Sequence, residues 1–98
     1  MAIRDEYDFH LLENEAENLV LNELELQLVP EKGEMCLCNE CVVDIAAMAL
    51  NNVKPLYRFS ILGTLYAAAA MTEQSYADSV KQSVTQAIQK VKQNPAHD

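Results

Sequence analysis

The run VVDIAAMALNNVKPLY, residues 42–57, decides how the rest of the chain is read. Its first half places Val42, Ile45, Ala46, Ala49 and Leu50 on one wide apolar helix face. Its second half ends that helix. Asn51 and Asn52 favour turn geometry, and Pro55 disfavours helical backbone in the residue before it. The spacing predicts a helix from Cys41 to Leu50, with Asn39 as its N-cap.

Downstream, a helix is expected from Leu56 or Ser60 to Met71. Ile61, Leu62, Leu65, Tyr66 and the run Ala67–Ala70 make it apolar nearly all round, and Gly63 and Ala67 would admit a close helix. A last helix is expected from Ser75, where Ser75 and Asp78 match a capping-box spacing. Tyr76, Val80, Val84, Ala87, Ile88 and Val91 are its stripe. Upstream, one helix is expected over Tyr7–Val29, ended by Pro30 and Gly33. Phe9, Leu12, Ala16, Leu19 and Val20 form its first stripe; Leu21, Leu24 and Leu28 form a second. A helix apolar on two sides must bury both. Together with the all-round apolar third helix, this predicts a homodimer.

Two Gly and three Pro leave little material for a turn-rich β fold. The fold expected is therefore all-α: a single small domain over residues 1–98, with a core at about 7–92, forming an intertwined homodimer. A chain of 98 residues that is 50% hydrophobic has material for a real core. The longest apolar run, Ile61–Met71, is too short to span a bilayer, and MAIRDEYDFH is too charged for a signal peptide. A cytoplasmic protein is expected, with no membrane partner.

The formal net charge is −8, which argues against binding long nucleic acids, because these require an extended basic face. The charge is uneven. Residues 1–49 hold twelve acids and two bases, whereas residues 50–98 hold three acids and five bases. Between Val43 and Thr72 the only formal charges are Asp44, Lys54 and Arg58.

Three groups of residues carry candidate chemistry. Cys36, Cys38 and Cys41 have C-x-C-x-x-C spacing before a helix, which suits a borderline cation such as zinc. A fourth ligand would come from His10, His97, Asp44, a partner chain or water. The same spacing also fits three ordinary thiols, or a redox switch. Asn51, Asn52, Lys54, Tyr57 and Arg58 combine cations, amides and an aromatic in one turn, as an anion and base-stacking site would. They also fit a polar interhelical turn with a proline stop. Asn14, Glu17 and Asn18 share one helix side and fit either a ligand or plain solvation. No nucleotide-binding glycine loop and no nucleophile triad is legible, so no enzyme is expected.

The chain resembles the late-competence ComFB family of small bacterial proteins. The resemblance rests on Asn14-x-x-Glu17-x-x-Val20, the run CLCNEC at 36–41, and the pattern Asp44, Ile45, Ala47, Ala49, Leu50, Asn51, Pro55 and Tyr57. It covers roughly residues 10–70. It implies a mostly helical homodimer that is a receptor for a cyclic dinucleotide, cyclic di-GMP or cyclic di-AMP, and that signals through a downstream protein. It also implies zinc on Cys36, Cys38 and Cys41. A complete site in the family can use a fourth cysteine, which this chain lacks. Physical inference then places the ligand on these positions. Arg4, Lys54 or Arg58 would meet phosphates, and Tyr57 or Arg58 would stack on purines. Glu17 or Asp44 would accept from guanine, while Asn14, Asn51 and Asn52 would bond base or ribose atoms. The alternative is a zinc-stabilised adaptor of the competence or DNA-uptake machinery with no small ligand.

Overall fold

The computed structural model describes residues 2–95. The protein is helical: α1 (Ile3–Glu6), α2 (Glu15–Leu28), α3 (Asn39–Leu50), α4 (Ile61–Met71) and α5 (Gln74–Gln93). Two short 3₁₀ turns, Phe9–Leu11 and Val29–Glu31, and a two-residue ribbon complete it. In the ribbon β1 (Glu13–Asn14) runs antiparallel to β2 (Tyr57–Arg58), with Glu13 opposite Arg58 and Asn14 opposite Tyr57. No described helix is long and apolar enough to cross a membrane.

Three helices build the core, and each buries residues four apart. α2 contributes Ala16, Val20 and Leu24; α3 contributes Cys41, Ile45 and Ala49. α5 packs against both with Tyr76, Val80, Val84, Ala87, Ile88 and Val91. Four-residue spacing keeps such residues on one side of a helix. Ile45 and Val84 are fully buried, and truncating Ile45 to Ala would cost about 2–5 kcal/mol. α4 buries only Ala67.

The N-terminal segment departs from the sequence expectation. The helix expected over Tyr7–Val29 begins only at Glu15, because Asn14 is its N-cap: Ala16 N donates to Asn14 Oδ1 at 3.2 Å. Phe9 and Leu12, read as core, are exposed. His10, read as part of that helix, lies in the Phe9–Leu11 turn and pairs with Asp8. The cap of α3 is Cys38 rather than Asn39; Cys41 N donates to Cys38 Sγ at 3.5 Å. α5 starts one residue ahead of Ser75, with Glu73 at its N-cap, so the Ser75/Asp78 box does not form. Gly33 takes a left-handed φ of +82°, open to glycine without strain, in the loop that carries the chain from α2 towards the cysteines.

Candidate functional site

The turn after α3 is tied down on every side. Asn52 Nδ2 donates to Met48 O at 3.0 Å, and Ser83 Oγ of α5 donates to Asn52 O at 3.1 Å. The Tyr76 hydroxyl donates to Lys54 O at 2.7 Å, and burial of Tyr76 raises its pKa above 10.0. Leu56 N donates to Asn14 Oδ1 at 2.8 Å, and Glu15 N donates to Leu56 O at 2.9 Å. Asn14 therefore caps α2 and holds residue 56 with the same oxygen.

That arrangement opens a cleft of about 610 Å³ lined by Leu12, Asn14, Glu17, Leu50, Asn51, Val53, Pro55 and Tyr57. Four of the sequence-derived ligand residues meet there: Asn14, Glu17, Asn51 and Tyr57. Glu17, Asn51 and Tyr57 are exposed, whereas Asn14 is half-buried. The cleft thus offers a carboxylate, two amides, a phenol ring and an apolar floor.

The other candidates lie elsewhere. Arg4 is on α1 and lines a separate cavity with Ile3, Tyr7, Asp8, Phe9 and His10. Lys54 is exposed, between two cleft-lining residues. Asn52 spends its amide on Met48 O. Asp44 is half-buried on α3, seven residues before Asn51 and so two turns away on nearly the same side.

Arg58 is engaged by acids. Its Nη2 lies 2.7 Å from Glu13 Oε2 and 2.5 Å from Glu15 Oε1, and its Nε donates to Glu15 Oε1 at 2.7 Å. The Arg58 guanidinium, then Asn18, holds Glu15 below its ordinary pKa, and Glu15 in turn raises that of Arg58. A guanidinium shared by two carboxylates is a strut of the β1–β2 ribbon before it is a phosphate clamp. Sequence reading passed over Glu13 and Glu15. Their signal is an acid on either side of Asn14: Glu13 stands opposite Arg58 in the ribbon, and Glu15 is the first residue of α2.

The thiols form a second centre. Cys36, Cys38 and Cys41 bring their sulfurs within 4.8 Å of one another, so they could hold a metal such as zinc. Thiolates around one zinc stand about 3.8 Å apart, from a Zn–S bond of about 2.3 Å. The donor set fits after a small closure. Cys36 is exposed, Cys38 half-buried and Cys41 buried. The Cys38 backbone N–H, then its thiol, lowers the pKa of Cys36, which favours the ligating thiolate. Neither His10 nor Asp44 joins the cluster, and His97 lies outside the described residues.

The family model described as late competence development protein ComFB matches residues 13–95. The chain belongs to the ComFB family. A comparison with curated proteins returns no match. The ComFB match begins at Glu13, so it takes in the ribbon, the cleft-lining residues from Asn14 to Tyr57 and all three cysteines. It leaves out Arg4 and the whole of α1.

Proposed function

We propose that this ComFB protein is a receptor for a cyclic dinucleotide, cyclic di-GMP or cyclic di-AMP, that signals as a homodimer by changing which protein it binds. The observation that carries the reading is the cleft. Residues from β1, α2, the end of α3 and β2 converge there into a small polar and aromatic site. Tyr57 offers a face for a purine. Glu17 offers a carboxylate to the N–H donors on the Watson–Crick edge of guanine. Guanine would give that carboxylate two donors, N1–H and N2–H, whereas adenine has only its N6–H, and this supports reading the ligand as cyclic di-GMP. Asn14 already uses its side-chain oxygen, which leaves its amide N–H groups for the ligand. Lys54 is the cation next to the cleft, and a two-fold dimer would present both to a two-fold ligand.

The second reading, a zinc-stabilised adaptor of the competence machinery without a small ligand, is favoured by the thiol cluster. Titration calorimetry separates the two. Glu17→Gln and Tyr57→Ala are each expected to weaken cyclic di-GMP at least about tenfold, with Lys81→Ala unchanged. Equal affinity for all four proteins would move the ligand away from this cleft.

A further inference from the structure

We infer that Cys36 and Cys38 are a peroxide-sensitive pair: oxidation joins them in a disulfide, leaves Cys41 as the remaining thiol, and takes the metal-binding capacity of the thiol centre away. Spacing treats the three thiols alike; the structure ranks them. Their sulfurs lie within 4.8 Å of one another, yet Cys36 is exposed, Cys38 half-buried and Cys41 buried. An oxidant arriving from solvent therefore meets Cys36 first.

Cys38 is the thiol placed to answer it. Its backbone N–H and its thiol both hydrogen-bond with the Cys36 sulfur. The Cys41 thiol reaches the same sulfur, but from within the core. Cys41 is 0% exposed and belongs to the buried cluster with Val20, Ile45 and Val84. Its sulfur is displaced only if α3 shifts or the core repacks, and packed cores resist both. Cys36 lies in the irregular loop before α3, and Cys38 is the junction between that loop and the helix. Loop movement alone can bring these two sulfurs to bonding distance. The Cys38 sulfur also accepts from Cys41 N, but sulfur is a weak acceptor, so turning away costs little.

The chemistry balances with hydrogen peroxide as the oxidant. The Cys36 thiolate attacks one peroxide oxygen; the O–O bond breaks, an S–O bond forms, and hydroxide leaves. The Cys36 sulfur gives up two electrons and the peroxide takes them. The Cys38 thiolate then attacks the sulfur of this sulfenic acid; the S–S bond forms, the S–O bond breaks, and a second hydroxide leaves. The two thiol protons convert both hydroxides to water. A dithiol reductant returns two electrons and restores both thiols. While the bridge stands, one thiolate is left where a borderline cation needs several. The exposed donor thus acts as an oxidant sensor for the whole centre. The inference needs no cyclic dinucleotide, and the disulfide itself needs no metal.

The test starts from the full chain, reduced and metal-free. After hydrogen peroxide the intact mass should fall by about 2 Da. Alkylation in denaturant should then mark a single thiol, placed at Cys41 by tandem mass spectrometry, and dithiothreitol should restore all three. Cys36→Ser, a change at an exposed loop position, should keep both of its thiols at the dose that bridges the parent. Absence of a bridge, alkylation at Cys36 or Cys38 in the bridged chain, or oxidation of Cys36→Ser at the parent's rate would each overturn the pairing. In a second arm zinc alone is added to the reduced and to the bridged chain, followed by dialysis. Zinc should stay with the reduced chain only, and retention by both would overturn the loss of metal binding. Loss from both would refute the metal reading of the thiols, while the mass shift still decides the pair.

Discussion

Asn14→Ala should destabilise the protein far more than an exposed polar side chain would. The Asn14 side-chain oxygen accepts from Ala16 N, two residues on, and from Leu56 N, forty-two residues on. Losing the first bond removes the N-cap of α2, at about 1 kcal/mol. Losing the second leaves the N–H of buried Leu56 without its acceptor, at about 1–3 kcal/mol. Together the loss is about 2–4 kcal/mol. For a domain of this size that lowers the melting temperature by about 10–30 °C at fixed protein concentration. Asn14→Asp keeps an acceptor at both positions and caps equally well, so it should stay within about 1 kcal/mol of the parent. Urea unfolding and thermal melts of the three proteins measure this. If Asn14→Ala melts like the parent, or Asn14→Asp is as damaging as Ala, the strut reasoning is wrong and Asn14 serves only a ligand.

Three further outcomes are expected. Native mass spectrometry of zinc-loaded protein should find one zinc per chain, lost in Cys36→Ala/Cys38→Ala; retention in that variant would remove the thiol centre. Glu15 has a folded pKa below 4.5, so its pairing with Arg58 stabilises the fold above that value and is lost as pH falls through the folded pKa. Glu15→Gln should therefore flatten the acid limb of the stability curve below about pH 4.5, and an unchanged limb would contradict the pairing. Tyr76 has a folded pKa above 10.0, so its contribution is complete below pH 10 and is lost as pH rises through the folded value. Tyr76→Phe should lose about 1 kcal/mol at neutral pH with its bond to Lys54 O, and be less sensitive above pH 10; equal alkaline sensitivity would refute the assignment.

The central helices were legible because their buried residues repeat at four-residue spacing. Ile45 and Ala49 on α3, and Val80, Val84 and Ile88 on α5, were read from periodicity and are buried. The start of α2 was not legible. Phe9 and Leu12 continue the helical spacing of Ala16 and Val20, but Asn14 uses its side chain to cap and so ends the periodic run locally. The cap of α3 was missed by one residue because a cysteine sulfur does what an amide or hydroxyl oxygen usually does. At the candidate site, Asn14, Glu17, Asn51 and Tyr57 line one cleft. The engagement of Arg58 by Glu13 and Glu15 was invisible, because it depends on a ribbon between residues forty-five positions apart along the chain. Composition marked Arg58 as isolated in sequence, whereas pairing across the ribbon neutralises it in space.

The most direct test of the account is titration of cyclic di-GMP and cyclic di-AMP into the full chain, with metal content determined on the same sample. The account predicts saturable binding, tighter for cyclic di-GMP. No heat and no displacement with either ligand at tens of micromolar would contradict it.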